Sequence, residues 1–240
     1  MFSIRFSPHF IFLTLALYFI GSPFSLATLP PKPLPNFNAA KKEARLIYAQ
    51  NRQTFFCAIP FDEKGKVNLS LCTHCPKKTV NIQWMPVVPI PLLAKNLLCF
   101  KENICKDKKR GFYKGIQCCR QKNRQFNIME ADLHNLVPEI AFFKSQRRDY
   151  AFDDIPSSSS SSKCHFVIDT QNKIVSPDPQ LRGIIARAYL YMHDTYPLAL
   201  PQKEIALYRK WHQQYPPSDW EKRRNEKIQH IQGNRNPYIN

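Results

Sequence analysis

Eight cysteines most restrict how this 240-residue chain can fold. Whether they cross-link depends on the compartment, and the N-terminus indicates export. The apolar run at 10–20 follows Arg5, and small residues at 25–27 provide a cleavage signal. We predict a signal peptide over 1–27, cleaved after Ala27, which leaves every cysteine in an oxidising compartment where disulfides are the default. The cysteines are Cys57, Cys72, Cys75, Cys99, Cys105, Cys118, Cys119 and Cys164.

Zinc binding is the alternative use of these cysteines. Cys72 and Cys75 have C-x-x-C spacing, and the adjacent Cys118 and Cys119 could supply two further thiolates. Neighbouring cysteines are poor partners in a tetrahedral site, because both sulfurs must reach one metal ion. We therefore predict a disulfide-braced domain, and leave the pairing of the cysteines open.

The formal net charge of +17 indicates a polyanionic partner, with a basic protein that merely needs solubility as the alternative. Ten basic residues and only two acidic ones lie at 95–127, which we predict to be a disulfide-tied surface loop. The six glycines are too scattered for a P-loop or a dinucleotide fingerprint. We predict no membrane span, because prolines interrupt the apolar stretch at 84–94.

Hydrophobic periodicity and capping signals predict a mixed α+β fold with a helical C-terminal third. The predicted helices lie at 38–51, from Pro179 onward, at 202–214, and from the capping box at Ser218 to Gly233. The predicted strands lie at 54–59, 67–71 and 165–168. Six serines at 157–162 predict a flexible loop.

Four segments along the chain carry a resemblance to a known family. They read NFNAAK at 36–41 with FFC at 55–57, MEADLHNLVP at 129–138, RGIIARAYLYM at 182–192 and IQGNRNPY at 231–238. In this order they resemble the signatures of the endonuclease I family, which are exported, non-specific bacterial nucleases of the ββα-metal (His-Me finger) type. The resemblance implies one domain over 28–240 with a ββα-metal core and a basic insertion at about 101–118. It also implies a bacterial protein, periplasmic or secreted.

The resemblance further implies a set of catalytic positions. Family members use a histidine base, a Mg²⁺ held by a carboxylate and an asparagine, and an arginine on the phosphate. Asn135 matches the asparagine. The family signature I-E-W-E-H-V-V-P corresponds to IQWMPVVP at 82–89, so Met85 and Pro86 replace the carboxylate and the histidine, and Ile116 replaces the arginine. Because none of these three can act as a base or hold Mg²⁺, we expect no cofactor, with Asn135 as a remnant of the metal site.

These positions lead to a pseudonuclease hypothesis: an exported monomer that binds nucleic acid or another polyanion without cutting it. The candidate contacts are Lys108, Lys109, Arg110, Arg120, Arg147, Arg223 and Arg224. One alternative is an interaction factor that presents the insertion, with Phe100, Phe112 and Tyr113 exposed, to a host or periplasmic protein. A further alternative is an active metal-dependent endonuclease with a relocated site, for which His134 is the first candidate base, although a structural role at a helix start is favoured.

Overall fold

The computed structural model describes residues 30–71, 81–109, 111–155 and 166–240. Several sequence predictions lie outside these described residues: the signal peptide at 1–27, the serine-rich loop at 157–162, Cys72, Cys75, Arg110 and Cys164. Within the described ranges, none of the helices combines the length and the apolar composition that crossing a bilayer requires.

The described part of the chain is mixed α+β, as predicted. Its α-helices are α1 (Phe37–Ile47), α2 (Ile90–Ala94), α3 (Leu98–Lys101), α4 (Ile116–Lys122), α5 (Arg124–Glu130), α6 (Ala141–Arg147), α7 (Pro179–Thr195), α8 (Gln202–Gln214) and α9 (Asp219–Gln232). Its β-strands are β1 (Ile82–Pro86), β2 (Cys105–Asp107), β3 (Gly111–Tyr113), β4 (Leu136–Ile140), β5 (Ala151–Phe152), β6 (Phe166–Asp169) and β7 (Ile174–Pro177). Short 3₁₀ turns lie at Tyr48–Gln50, Leu69–Leu71 and Leu133–Asn135.

Helix α1 confirms the first predicted helix. The Asn36 side chain caps it by accepting a hydrogen bond from the Ala39 N–H at 3.1 Å. Its apolar face, formed by Ala40, Ala44 and Ile47, is buried as predicted. This face joins the smaller of two hydrophobic clusters, together with side chains of β1, β4 and α9.

The two strands predicted at 54–59 and 67–71 do not form. The first segment folds back on itself, because the Thr54 N–H donates to the Ile59 carbonyl and the Thr54 hydroxyl accepts from the Ile59 N–H, each at 3.0 Å. Ala58 permits this turn by adopting a positive φ of 49°. The second segment makes one bridge pair, between Phe61 and Val67, and then enters the 3₁₀ turn. In these segments, hydrogen bonds between near neighbours form in place of the strand pairing that the hydrophobic pattern predicted.

The ββα motif is formed by β1, β4 and α6. Strands β1 and β4 are antiparallel, with Met85 opposite Val137 and Pro86 opposite Leu136. Strand β4 passes directly into α6, so the helix begins beside the strand pair. A separate sheet, in the order β5-β7-β6, contains the strand predicted at 165–168 as β6.

The basic segment at 95–127 is not the surface loop that was predicted. It contains α3, the β2–β3 hairpin, α4 and most of α5, and two disulfides join α3 and β2 to α4. Cys99 pairs with Cys119 and Cys105 with Cys118, and all four side chains are buried in the larger hydrophobic cluster. Cys57 is disulfide-bonded as well. The disulfide prediction is confirmed for these cysteines, and the adjacent Cys118 and Cys119 face different partners rather than one metal.

The C-terminal helices agree with their predicted boundaries. Helix α8 has the predicted bounds, and α9 begins with the Ser218 capping box and ends at Gly233, whose φ of 81° few side chains tolerate. Helix α7 approaches its neighbours closely at Gly183, where a Cβ atom would lie 2.3 Å from the Tyr215 carbonyl oxygen. A buried ion pair joins α7 to α9, with Arg187 donating two 2.8 Å hydrogen bonds to Glu221.

Candidate functional site

Met85 and Pro86 lie together in a cleft beside the ββα motif. Both are buried at the end of β1, and both line a cavity of about 550 Å³. Helices α6, α4 and α1 contribute Lys144, Arg120 and Phe37 to the same walls. The structure therefore brings two of the three positions at which the resemblance implies a lost catalytic residue into one concave site, which we call the cleft.

Asn135 lies at the same end of the strand pair, but its amide is already engaged. Its Oδ1 accepts from the Val88 N–H at 2.7 Å, and its Nδ2 donates to the Val88 carbonyl at 3.2 Å. The main-chain carbonyl of Asn135 also accepts from the Val87 N–H at 2.8 Å. The side chain thus ties the segment after β1 to the segment before β4.

These residues do not fit a Mg²⁺ ion. The cation prefers several hard oxygen ligands, whereas Met85 offers a thioether and Pro86 offers no side-chain donor. Asn135 supplies one neutral oxygen that already accepts a hydrogen bond. Across the described residues, His, Cys, Asp and Glu side chains form no group of three or more that could hold a metal ion. The described side chains of the cleft therefore lack the oxygen ligands that a divalent metal requires.

Ile116, the third lost position, begins α4 and packs against the larger hydrophobic cluster. Arg120 follows it by one helical turn, on the same side of α4, and lines the cleft. Its guanidinium forms an ion pair with the buried Glu130 of α5, with Nε 2.8 Å from Oε2. The hydrogen bond to Glu130 raises the pKa of Arg120 above its ordinary value. A positive charge thus lies one turn along the helix from Ile116, and the Glu130 carboxylate holds it in place.

Lys144, on α6, is the second cation of the cleft and is half-buried. Burial lowers its pKa below the ordinary value, and the nearby charge of Arg120 acts in the same direction. Glu130 raises the pKa and Lys41 lowers it, so Lys144 senses all three charges. A cationic side chain is thus held among other cations in the cavity that Met85 lines.

Cations continue along the wall of an adjoining cavity, which Lys144 also lines. Lys41 and Arg45 project from α1, and Arg52 and Lys64 follow from the next segments. Arg52 is paired with Glu63 at 3.1 Å. These residues were not predicted as a binding site, because they are dispersed along the sequence and do not form a dense run of charge. A usable signal was present, since Lys41 and Arg45 are one turn apart and lie off the buried face of α1.

Two of the predicted nucleic-acid contacts are corrected by their burial. Arg147 is 2% exposed and donates to the Val87 carbonyl and the Tyr189 hydroxyl. Arg224 is 3% exposed and donates to two main-chain carbonyls that flank Asn135, those of Leu133 and Leu136. Both guanidinium groups satisfy carbonyl oxygens inside the protein, so they are not available to a ligand at the surface.

The remaining predicted contacts do not form one surface. Lys108 and Lys109 are exposed at the turn of the β2–β3 hairpin, Arg223 is exposed on α9, and Arg120 alone lines the cleft. The structure does not describe Arg110. The expected aromatic surface of the insertion is also reduced, because Phe100 and Tyr113 are half-buried against the core and only Phe112 is fully exposed.

Asp132 is the centre of a second polar cluster, which is buried. Its carboxylate accepts from the Tyr191 hydroxyl at 2.7 Å, the Tyr196 hydroxyl at 2.6 Å and the Gln232 side chain at 3.2 Å. It also accepts from the His134 N–H at 2.9 Å, which caps the turn before β4. We call Asp132 and these four partners the Asp132 hub. Three of the family-like segments, at 129–138, 182–192 and 231–238, meet there.

His134 lies in the hub and is not available as a relocated base. Its ring is buried against Tyr191, with the ring centroids 4.5 Å apart. Burial lowers the pKa of His134 to about 4, and its Nδ1 has no hydrogen-bond partner among the described residues. Burial raises the pKa of Glu139 to about 7, but this carboxylate is fully enclosed and accepts from the Phe56 and Ile140 N–H groups. Neither group reaches the cleft surface.

Comparison with known proteins agrees with the sequence motifs. The family model described as Endonuclease I matches residues 107–240. An extracellular deoxyribonuclease of Aeromonas hydrophila is 34% identical over 227 residues, which are 90% of this chain and 95% of the relative. A periplasmic deoxyribonuclease of the same organism is 32% identical over 237 residues, or 95% of each chain.

A third relative comes from another bacterium. An endonuclease-1 of Buchnera aphidicola subsp. Baizongia pistaciae (strain Bp) is 32% identical over 214 residues, 85% of this chain and 82% of the relative. The extracellular and periplasmic bacterial relatives confirm the predicted export. The region matched by the family model includes β4, α6 and the whole Asp132 hub, and the chain accordingly belongs to the endonuclease I family.

Proposed function

We propose that this chain is an exported pseudonuclease that binds nucleic acid without hydrolysing it. One observation carries the proposal: the ββα motif is intact, yet its cleft presents Met85 and Pro86 where the family signature has a carboxylate and a histidine. The fold is retained while the groups that would hold the metal and accept the proton are replaced.

The two replacements remove separate parts of phosphodiester hydrolysis. A water attacking phosphorus must lose a proton, and a missing general base alone lowers the rate by about 10²–10⁴-fold. Without a carboxylate the Mg²⁺ ion is lost too, and with it the charge stabilisation of the leaving oxygen. Neither His134 nor Glu139 substitutes, since both are buried away from the cleft.

Binding requires neither of the lost groups. Lysine and arginine contacts to phosphates release condensed counterions, and this release drives association with any sequence. The cleft retains Arg120 and Lys144, and the overall net charge of +17 attracts a polyanion at long range. We therefore expect sequence-independent binding that weakens steeply as salt is added.

Plasmid nicking by the purified, oxidised protein tests the loss of cleavage. The comparison is with the triple variant Met85→Glu, Pro86→His, Ile116→Arg, in Mg²⁺ or Mn²⁺ and with chelator. We expect no nicking by the unchanged protein and chelator-sensitive nicking by the triple variant. Chelator-sensitive cleavage by the unchanged protein would contradict the proposal.

Gel shift at low salt, in chelator, tests binding independently of cleavage. We expect the protein to retard duplex DNA and the complex to dissociate as salt rises. Absence of any shift at low salt would refute the nucleic-acid partner, whatever the nicking result.

A protein partner is the second candidate, and the disulfide-tied hairpin favours it. Leu98, Ile104 and Phe112 are 56%, 41% and 65% exposed, and all three lie in or beside the β2–β3 insertion. Exposed apolar side chains on a rigid, cross-linked element are typical of a contact surface. Pull-down after nuclease treatment, with Phe112→Ser as the matched variant, tests this candidate, and loss of every captured protein on removing nucleic acid would count against it.

A further inference from the structure

Lys144 is unusual because it is half-buried and yet unpaired among the described residues. Its Nζ makes neither a hydrogen bond nor an ion pair with any of them, although Glu130 lies close enough to raise its pKa. Lysines that are partly withdrawn from water are normally paired, since desolvation penalises the charged form. The cleft therefore holds an ammonium group that no side chain in the described part of the chain pairs directly.

Two further cations surround the same point. Lys41 and Lys144 line one cavity, Lys144 and Arg120 line a second, and Lys41 and Arg120 line a third. Glu130 lines the second and third of these cavities, and its oxygens are occupied by the Arg120 guanidinium. The other described carboxylates that line the cavities are Asp62, Glu63 and Asp149, and none of them forms an ion pair with Lys41, Lys144 or Arg120.

An aromatic ring lies at the junction of these cavities. Phe37, the first residue of α1, is half-buried and lines all three, with the Lys41 ammonium 5.3 Å from its ring centroid. Cations that follow a backbone, combined with an aromatic face that accepts a base or a sugar, are typical of sites for nucleic-acid strands.

We propose that Lys144, Arg120 and Lys41 form a metal-independent site for the phosphodiester backbone of nucleic acid, located in the cleft that Met85 and Pro86 line. The inference rests on the proposed function and makes it more specific. The ammonium of Lys144 supplies positive charge beside Met85, where the family signature has a carboxylate for a metal ion. Glu130 fixes the direction of the Arg120 guanidinium, so that its remaining N–H groups are free for a phosphate oxygen.

The test is binding of a short fluorescein-labelled DNA duplex in EDTA, followed by fluorescence anisotropy at several salt concentrations. Lys144→Met and Lys41→Met keep the aliphatic stems and remove one charge each. We expect each to weaken binding about tenfold and to reduce the slope of log affinity against log salt by about 0.9, the value for one lost phosphate contact. Lys144→Arg, which restores the charge, should recover most of the affinity.

The matched controls are Lys42→Met, one residue along α1, and Lys122→Met on α4. Both lysines are exposed and neither lines the three cavities, so the overall charge changes equally while the cleft is untouched. We expect both controls to bind like the unchanged protein. If all four lysine-to-methionine variants lose affinity equally, the effect is net charge alone and the cleft site is refuted.

The other outcomes separate this inference from the proposed function. Binding by the unchanged protein that Lys144→Met and Lys41→Met leave intact would refute the cleft site and leave the pseudonuclease. No binding of DNA or RNA by the unchanged protein would refute the pseudonuclease itself. Binding of heparin but of neither nucleic acid would refute the phosphodiester ligand, and binding that requires added Mg²⁺ would refute metal independence.

Amine acylation of the unchanged protein provides a measurement that does not depend on a variant folding. Burial and the neighbouring cations lower the pKa of Lys144, so it should acylate readily for a half-buried lysine. Peptide mass spectrometry should then show protection of Lys144 and Lys41 by oligonucleotide, with Lys42 and Lys122 labelled at unchanged rates. Unprotected Lys144 under saturating oligonucleotide would overturn the inference.

Discussion

The cleft and the Asp132 hub differ in whether they contain the polar residues of the family signature. Both are built largely from segments that resemble family signatures, and both contain buried or half-buried charge. On the proposed function, Met85 and Pro86 stand in the cleft where the family signature has a carboxylate and a histidine, and β1 pairs with β4 along its full length. In the hub, Asp132 is present with a complete set of hydrogen-bond donors.

The difference follows from what each residue does for the folded state. Met85 and Pro86 are buried and apolar, so their side chains leave no donor or acceptor unpaired in the cleft wall. Removing Asp132 would leave two tyrosine hydroxyls and an amide without their acceptor inside the protein. The proposed loss of catalysis would therefore cost little stability, whereas the loss of Asp132 would cost much.

Truncating the hub should have the largest effect on stability. We expect Asp132→Ala to lower the free energy of unfolding by about 3–5 kcal/mol, since four buried donors lose a charged acceptor. Urea unfolding with the disulfides intact measures this change. Asp149→Ala, at the exposed rim of the cleft, is the matched control and should change stability by less than about 0.5 kcal/mol. Equal effects at the two positions would remove the contrast between hub and cleft.

The hub should also lose stability in acid through His134. Its folded pKa of about 4 lies below the ordinary 6.5, so the folded state favours the neutral ring. This preference adds up to about 3 kcal/mol to the free energy of unfolding. The contribution is fully present above pH 6.5 and is lost as pH falls through about 4. His134→Phe should flatten unfolding free energy against pH in this window. The exposed His230→Phe should leave the profile unchanged, and a profile that His134→Phe does not alter would contradict the assignment.

The ββα motif should show the opposite pH dependence through Glu139. Its folded pKa of about 7 exceeds the ordinary 4.5, so the folded state favours the protonated carboxyl. This stabilising contribution is present below pH 4.5 and is lost as pH rises through about 7, again by up to about 3 kcal/mol. Glu139→Gln should abolish this decline in unfolding free energy with rising pH, although it leaves one N–H group unpaired. The surface variant Glu102→Gln should show the same decline as the unchanged protein. A decline that persists in Glu139→Gln would refute this origin.

The smallest expected effect is in the cleft. Lys144→Met removes a half-buried charge that lies near Arg120 and Lys41, so the repulsion is relieved. We expect the free energy of unfolding to rise by about 0.5 kcal/mol or less without ligand, against no change for Lys122→Met. Thermal unfolding in EDTA, with and without oligonucleotide, measures both. A loss of more than about 1 kcal/mol would show that Lys144 serves the fold, as Asp132 does, rather than a ligand.

The sequence determined those features that depend on near neighbours or on long signatures. The caps at Asn36 and Ser218 and the αL residue Gly233 fixed helix ends, because capping is a local interaction. The segment at 129–138 identified Asn135, and the correspondence at 82–89 identified Met85 and Pro86, from sequence alone. At 54–59 the sequence pattern predicted the wrong structure. It indicated a strand, but the Thr54 hydroxyl accepts from the Ile59 N–H and closes a turn.

Only the tertiary structure decided which charges are available. Arg147 and Arg224 look like surface cations in the sequence, but distant carbonyl groups accept their hydrogen bonds and bury them. Lys41 and Lys144 are far apart in the sequence, and no motif links them, yet packing of α1 and α6 about the strand pair brings them to the same cavity. Whether a charged side chain is buried and paired depends on contacts between distant segments. Some of the basic residues behind the net charge of +17 therefore form hydrogen bonds inside the protein, whereas others line the cleft.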